Sequence, residues 1–408
     1  MRRTTRFAMA AVAGLSTVSL LAACAGGGTA DNADAGGSLQ VLFGTSGEAE
    51  TAALEAAAEA WSEESGIEVT VTPATDLAQE LAQGFATGEP ADIFYVSPEQ
   101  ITALVDAGNL YPYADELESA DDFYPELREA YTKDGVFYAA PKDVGALALA
   151  INLDLWEAAG LTDADIPTTW DELSTVAAKL STNGVSGLTL SPDLARVGPF
   201  MLQAGGWVFN DAQTEATADS TANVDALEYV QGLLNDGSAT LTTDLGVGWS
   251  GEAFGKQASA MVIEGPWLEG AMAADYPEVD YRVVELPAGP DGAASMFFTN
   301  AWGIAAESKN TDAAVDFVEF LTTPEQQMEF ARAFGPIPAR ISAADAYRSE
   351  FPDTVAYLDG IEGSKTYPTI AGFSEVMADM NAQLFELKTA DIPSLLGSVQ
   401  KNLEALTK

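Results

Sequence analysis

The fold is decided by the stretch that begins with Leu39-Gln-Val-Leu-Phe43 and ends with Asp92-Ile-Phe-Tyr-Val96. Both apolar runs, and the alternating run Ile67-Glu-Val-Thr-Val-Thr72 between them, have the composition and length of strands. An Ala- and Glu-rich segment, Glu48–Glu64, and a second segment, Leu77–Thr87, separate them, and each is followed closely by a glycine, as helices commonly are. This order of strands and helices predicts a parallel sheet covered by helices, so we expect an α/β fold.

The rest of the chain continues the alternation, without an internal repeat. The run Ala146-Leu-Ala-Leu-Ala-Ile-Asn152 has no helix caps and predicts a long buried strand that passes between lobes, and Phe297–Ala306 predicts another strand. Helices are expected to dominate from Thr311 onwards. A chain of 408 residues exceeds what one hydrophobic core usually organises, so we expect two lobes.

The N-terminus has the three parts of an export signal, over residues 1–23. Arginines at positions 2, 3 and 6 precede an apolar stretch, Phe7–Leu21, which is too short to span a bilayer. The closing Leu21-Ala-Ala-Cys24 resembles the lipobox of bacterial lipoproteins, in which the cysteine is diacylated. The alternative is a chance cysteine in an ordinary signal peptide. We expect a lipidated Cys24 and a flexible Gly-rich tether, together residues 24–38, that hold the protein at the extracellular face of a Gram-positive membrane.

The composition excludes several classes of function. With 62 acidic and 18 basic residues, the net charge of −44 argues against nucleic acid or an anionic membrane face as a direct partner. Histidine is absent and Cys24 is the sole cysteine, which removes Ser-His-Asp and Cys-His catalysis, disulfides, and His- or Cys-ligated metal sites. We therefore expect no catalytic residue, no cofactor and no metal.

Four of the seven tryptophans lie beside small residues in Gly-rich loops: Trp207, Trp249, Trp267 and Trp302. Flat aromatic faces beside hydrogen-bonding loops suit pyranose rings, whose C–H faces stack on aromatic rings while their hydroxyls bind carboxylates and amides. The alternative is that these tryptophans fill the edges of the lobes.

The sequence resembles the family-1 solute-binding proteins of carbohydrate ABC importers, the class that includes maltose-binding protein. The resemblance runs in order from about Leu39 to Lys408. Seven segments carry it: Gly88–Phe94, Tyr138–Asp143, Ile151–Leu161, Pro167–Leu173, Ala260–Trp267, Trp302–Asn310 and Phe330–Pro338.

The resemblance implies a two-lobed periplasmic-binding-protein-like fold, each lobe a mainly parallel sheet flanked by helices, joined by crossing strands that act as a hinge. Lobe 1 would comprise residues 39–144 and 301–339, and lobe 2 residues 145–300 and 340–408. A monomer would capture an oligosaccharide ligand between the lobes and deliver it to ABC transporter permease subunits.

Carried over position by position, the resemblance implies ten ligand-binding residues: Glu48, Glu99, Asp143, Asp193, Trp207, Trp249, Trp267, Trp302, Arg340 and Phe373. For each carboxylate the alternative is a solvated surface position, and for Arg340 a surface ion pair. Maltose-binding protein has a stacking aromatic shortly after the position of Asp193, where this chain has Ala195 and Arg196. A di- or trisaccharide, with α-glucosides first, is therefore favoured over a long linear maltodextrin.

Two alternatives of other kinds stay open. A lipid-anchored carbohydrate-active enzyme needs only two carboxylates, so the lack of histidine does not exclude it. A binding protein for polyamine, ferric iron or peptide would share the fold. The tryptophans in glycine-rich loops favour sugar over these ligands.

Overall fold

Two five-stranded sheets organise the chain in the computed structural model, which describes residues 38–408. The predicted export signal, Cys24 and nearly all of the predicted tether lie outside the described residues. In chain order the strands are β1 (Leu39–Phe43), β2 (Val69–Pro73), β3 (Ile93–Val96), β4 (Thr132–Lys133), β5 (Val136–Phe137), β6 (Ala140–Pro141), β7 (Gly145–Ala146), β8 (Ala148–Asn152), β9 (Ser186–Leu190), β10 (Ala239–Leu241), β11 (Ser259–Glu264), β12 (Tyr281–Val284), β13 (Phe297–Phe298) and β14 (Ala301–Ile304).

Helices surround both sheets. They are α1 (Glu48–Ser65), α2 (Leu77–Thr87), α3 (Pro98–Asp106), α4 (Pro125–Ala130), α5 (Leu153–Ala158), α6 (Trp170–Leu180), α7 (Leu194–Gln203), α8 (Thr221–Asp236), α9 (Thr242–Leu245), α10 (Ser250–Gly255), α11 (Trp267–Asp275), α12 (Thr311–Leu321), α13 (Pro324–Phe334), α14 (Ala344–Glu350), α15 (Val355–Asp359), α16 (Phe373–Leu384) and α17 (Ile392–Leu406).

The first sheet, with strand order β2-β1-β3-β14-β6, defines lobe 1. Strands β2, β1 and β3 are parallel, so the predicted strand–helix order over residues 39–96 is confirmed. β14 returns antiparallel to β3 and β6 and makes the sheet mixed. β3 is buried along its whole length, as its apolar run predicts for a strand covered on both faces.

The second sheet, with strand order β10-β9-β11-β8-β12, defines lobe 2 and repeats this pattern. β10, β9 and β11 are parallel, β8 pairs antiparallel with β11, and β12 pairs antiparallel with β8 at the other edge. The fold is therefore α/β with two lobes, each built on a mixed sheet. The predicted strand Ala146–Asn152 corresponds to β7 and β8, which are fully buried.

A two-stranded antiparallel ribbon, β7 with β13, connects the two sheets. The predicted strand Phe297–Ala306 is split into β13 and β14 at Thr299. There the side-chain hydroxyl of Thr299 donates to the carbonyl oxygen of Asp143 at 2.6 Å, and this bond joins the two crossing segments. The chain passes the same ribbon a third time, since Val144 bridges Ile337 and Met296 bridges Lys365.

Residues after Ala339 stay beside lobe 1 for longer than the predicted boundary between 339 and 340 implies. Arg340 forms a bridge with Phe123, and Ser342 donates to Asp122 from both its amide and its hydroxyl. We therefore propose that the third crossing lies later, near residues 360–365, where Lys365 joins the ribbon. Within residues 38–408, no helix combines the length and the apolar content that a bilayer span requires.

Candidate functional site

A buried carboxylate anchors a cluster of polar and aromatic side chains in lobe 2, beside the ribbon that joins the two sheets. Glu264, the last residue of β11, has no exposed surface. Its Oε1 accepts a hydrogen bond from the hydroxyl of Ser250 at 2.5 Å, and its Oε2 accepts one from Arg196 Nη2 at 2.5 Å and one from Trp267 Nε1 at 2.7 Å. A buried charge is tolerated when it is paired and hydrogen-bonded, and Glu264 meets both conditions.

Trp267 is held by its edge while much of its surface stays in solvent. Its side chain is 41% exposed, which makes it a rare exposed large apolar group in the described residues. A β-carbon on Gly265 would lie 2.4 Å from the indole ring, so glycine there lets the ring lie against the backbone. The ring meets Phe298 of β13 edge to face, with centroids 5.5 Å apart. The indole is therefore fixed in place, beside the hinge ribbon.

Asp193 and Arg196 lie next to Trp267 at the start of α7. Asp193 caps this helix by accepting from the amide of Arg196 at 3.0 Å. The Arg196 guanidinium lies 5.8 Å from the centroid of the Trp267 ring, and its Nη1 is 3.6 Å from Asp193 Oδ2. Burial raises the pKa of Asp193, with a further contribution from the charge of Glu264, and outweighs the opposing effect of Arg196.

Tyr367 joins this cluster through Phe298. Its ring meets Phe298 edge to face at 5.7 Å between centroids, so Trp267, Phe298 and Tyr367 form an aromatic row. Burial raises the pKa of Tyr367, and the charges of Asp193 and Glu99 raise it further. Glu99 belongs to α3 of lobe 1.

A buried ion-pair cluster lies beside the ribbon, formed by Lys142, Glu50 and Asp143. Lys142 Nζ lies 3.2 Å from Glu50 Oε1 and also binds the carboxylate of Asp143. Burial opposes the charge of Lys142, but Asp143 and Glu50 more than offset this and raise the pKa of Lys142. Asp143 Oδ1 also accepts from the amide of Asn300 at 3.2 Å, so this predicted ligand residue already links the two crossing segments.

Six of the ten predicted residues keep side-chain surface for a ligand: Glu48, Glu99, Asp143, Asp193, Trp249 and Trp267. Glu48 is exposed in the first turn of α1, and Glu99 is half-buried in the first turn of α3. Trp249 is half-buried, and its ring lies against Gly251, where a β-carbon would come within 2.1 Å of it.

The structure places the other four predicted residues inside the lobes. Trp302 is 1% exposed and meets Tyr95 edge to face, and Phe373 and Trp207 belong to the core of lobe 2. Arg340 is also 1% exposed, and its guanidinium donates to the carbonyl oxygens of Thr322 and Ser119. These four side chains already pack against or bind residues of their own lobes, so we leave them out of the proposed site.

Sequence reasoning missed Arg196, Glu264, Ser250 and Tyr367 as members of the cluster. Glu264 lies three residues before Trp267 in the segment Ala260–Trp267 that carries the family resemblance, and this spacing could have identified it. Arg196 was noted only as a departure from an aromatic position. Neither Ser250 nor Tyr367 carries a local motif that would single it out.

Comparison with known proteins identifies the class of the molecule. Residues 56–357 match the family described as bacterial extracellular solute-binding protein. The chain belongs to this family. This solute-binding protein is 26% identical, over 92% of its length and 91% of the relative's, to the maltooligosaccharide ABC transporter solute-binding lipoprotein of Streptococcus pneumoniae serotype 4.

Solved structures confirm the two-lobed fold of this solute-binding protein. The cyclic alpha-maltosyl-1,6-maltose binding protein of Arthrobacter globiformis superposes with a TM-score of 0.80 at 21% identity, covering 91% of this chain and 99% of that one. The GacH receptor of Streptomyces glaucescens, known unliganded and in complex with acarbose, superposes with a TM-score of 0.78 at 22% identity, covering 91% and 98%.

Proposed function

We propose that this protein captures a neutral oligosaccharide between its lobes and delivers it to the permease subunits of an ABC importer, acting as a monomer. The observation that carries the proposal is the exposed indole of Trp267, anchored at its edge by Glu264. A fixed aromatic face stacks on a pyranose ring at little entropic cost, because the side chain is already ordered before the ligand arrives. Arg196, Asp193 and Glu99 supply the donors and acceptors that sugar hydroxyls require.

We further propose α-glucosides as the preferred sugars. The relative in Streptococcus pneumoniae is named for maltooligosaccharides, and the structural neighbours are named for a cyclic maltosyl-maltose and for acarbose complexes. Ala195 and Arg196 stand where maltose-binding protein has a stacking aromatic, so the proposed site has one stacking face fewer there, which favours a di- or trisaccharide.

Binding without cleavage is supported by how the carboxylates are used. A glycosidase needs an acid and a second carboxylate on either side of the scissile bond. Glu264 is saturated by three donors, and Asp193 caps α7 beside Arg196. Within residues 38–408, the carboxylate of Glu99 has no hydrogen-bond partner, so it is available to accept from a hydroxyl group.

Calorimetric titration with a panel of α-linked gluco-oligosaccharides tests this function. We expect saturable binding to the unaltered protein, no cleavage products after prolonged incubation, and binding at least about tenfold weaker in Trp267→Ala. Phe385→Ala is the matched control, because Phe385 is also exposed, at 52%, but lies at the end of α16. Binding of a polyamine or peptide instead of any sugar would refute the proposal.

The proposed lipid anchor at Cys24 determines where we expect the protein to be located. A lipid attached there would keep the protein at the outer face of the membrane, within reach of its importer, as a cell without an outer membrane requires. Expression of Cys24→Ala in a Gram-positive host should move the protein from the membrane fraction to the medium. Retention of that variant in the membrane fraction would exclude Cys24 as the anchor.

A further inference from the structure

The helix α16 contacts the proposed sugar site at two places. Phe373, its first residue, packs against the ring of Tyr367, with centroids 6.2 Å apart. Asn381, about two turns further along, reaches the start of α7, where its Oδ1 accepts a hydrogen bond from the backbone amide of Leu194 at 2.8 Å. Because the donor is an N–H group, the oxygen of the Asn381 side chain must be the atom that faces it.

The amide of Leu194 needs an acceptor from outside α7. The first four amides of a helix have no partner within the helix itself. Asp193 accepts from the amide of Arg196 with its side chain and from the amide of Val197 with its carbonyl oxygen, so both of these acceptors serve amides further along. Leu194 has no exposed surface, and a buried amide without an acceptor costs about as much free energy as a lost hydrogen bond. Asn381 therefore completes the N-terminal cap of α7 from a distant helix.

The turn of α7 that is held in this way carries two residues of the proposed site. Asp193 and Arg196 lie on either side of the bonded amide, within one helical turn. The Arg196 guanidinium binds Glu264, and Glu264 also holds the indole of Trp267. A displacement of this turn would therefore move Asp193 and Arg196 and disturb the anchor of Trp267.

The helix that carries Asn381 is itself firmly packed. Val376, Met380 and Leu384 of α16 are buried in the core of lobe 2, together with Leu194 of α7. A side chain carried by a packed helix keeps its position more precisely than one carried by a loop. Asn381, which follows Met380 directly, is therefore a fixed acceptor for the start of α7.

We propose that Asn381 is a positioning residue for sugar binding, which holds the first turn of α7 so that Asp193 and Arg196 are in place before the ligand arrives. The inference rests on the proposed sugar-binding function and adds to it a residue that acts through α7 rather than by touching the sugar. Without this hydrogen bond, ordering the first turn of α7 would become part of the cost of binding and would lower the affinity.

Calorimetric titration with maltotriose over a range of pH tests this role. Asn381→Leu keeps the approximate size of the side chain and removes the acceptor. It should bind maltotriose about three- to tenfold more weakly than the unaltered protein at neutral pH, which corresponds to the loss of one neutral hydrogen bond. Because no charge changes, the loss of binding on acidification should not move to higher pH.

A second variant, Asn381→Asp, distinguishes positioning from a general loss of stability. It keeps an oxygen acceptor for the start of α7 and adds a negative charge close to Asp193. The ionisable groups that already interact with Asp193 are Arg196, Glu264 and Tyr367. The new carboxylate should add to the effect of Glu264 and raise the pKa of Asp193 further. Maltotriose should therefore bind nearly as tightly as to the unaltered protein at neutral pH, but binding should be lost at a higher pH on acidification.

Asn152→Leu is the matched control. Asn152 also uses its Oδ1 to accept from a backbone amide in the first turn of a helix, from Leu155 of α5 at 2.9 Å. It lies at the end of β8, whereas Glu264 pairs with Ala148 at the other end of the same strand. Asn152→Leu should lower stability and leave both the affinity for maltotriose and its pH dependence unchanged.

Each outcome bears on the positioning role. An unchanged affinity in Asn381→Leu, an unchanged pH dependence in Asn381→Asp, or an equal loss of affinity in Asn152→Leu would overturn it while leaving sugar binding intact. If Asn381→Leu does not fold, the pH dependence of Asn381→Asp alone decides. Failure of the unaltered protein to bind maltotriose or any other α-glucoside would instead overturn the proposed function, and the positioning role with it.

Discussion

Replacing Glu264 with glutamine removes a buried negative charge from the proposed sugar site without changing the shape of the side chain. Glu264 is fully buried and accepts hydrogen bonds from Ser250, Arg196 and Trp267. The glutamine oxygen can still accept from Arg196 and Trp267, and the hydroxyl of Ser250 can rotate to accept from the new amide. The variant therefore removes the negative charge and keeps the number of hydrogen bonds.

The magnitude follows from that charge. Hydrogen bonds to charged groups contribute about 1.5–3 kcal/mol, against about 0.5–1.5 kcal/mol for neutral pairs. Arg196 would retain only Asp193 as a counter-ion, at 3.6 Å. We expect the free energy of unfolding to fall by about 1–3 kcal/mol and the affinity for sugar to fall about five- to tenfold, because both Arg196 and Trp267 lose a strong acceptor.

The pH dependence of sugar binding distinguishes a loss of the positioning role of Glu264 from a general weakening of the site. Burial is the main cause of the raised pKa of Asp193, and the charge of Glu264 adds to it. Ionised Asp193 is the better acceptor for a sugar hydroxyl, so binding should be lost as the pH falls through this raised pKa. In Glu264→Gln the pKa of Asp193 should fall, and the loss of binding should move to lower pH.

Denaturant unfolding and calorimetric titration across pH measure these effects. Glu269→Gln is the matched control, because Glu269 also accepts two hydrogen bonds, from Tyr281 of β12 at 2.6 Å and Tyr357 of α15 at 3.2 Å, neither of which belongs to the Trp267 cluster. It should lower stability without changing the affinity. If Glu264→Gln bound sugar as tightly as the unaltered protein, with the same pH profile, the positioning role of Glu264 would be refuted.

Three other substitutions test the remaining contacts. Glu50→Gln should lower the free energy of unfolding by about 3 kcal/mol at neutral pH, since it leaves buried Lys142 without one partner. Burial alone would raise the pKa of Glu50, but Lys142 and hydrogen bonds lower it. The difference in free energy of unfolding between Glu50→Gln and the unaltered protein should therefore shrink as the pH falls below about 4.5, as denaturant titrations would show. A difference that stays constant with pH would contradict this. Gly265→Val should displace the Trp267 ring and weaken sugar binding at least tenfold with far-ultraviolet circular dichroism unchanged, whereas unaltered affinity would separate the ring from the site. Arg340→Met should lower the melting temperature but leave the affinity for sugar unchanged, because its partners all lie inside lobe 1; a clear loss of affinity would return Arg340 to the site.

Local sequence patterns were sufficient for most of the fold. The strand–helix alternation over residues 39–96, the helix stops at Gly66 and Gly88, and the buried run of β8 appear where they were predicted. Each depends on neighbours within a few residues: apolar periodicity, a cap, or a glycine that adopts the left-handed region at a helix end.

The sequence by itself also indicated the family, which the family match confirms, and it predicted a ligand-binding role for Trp267, which stays a prediction. Only the tertiary structure decided which polar and aromatic groups meet around Trp267. Arg196 and Glu264 are 68 residues apart in the chain, and their contact exists because α7 and β11 belong to the same lobe. Trp302 resembled Trp267 in its local setting but is buried against Tyr95. Burial is determined by contacts between distant segments, which no local pattern contains, so the tryptophan that can meet a ligand is identified only in the folded chain.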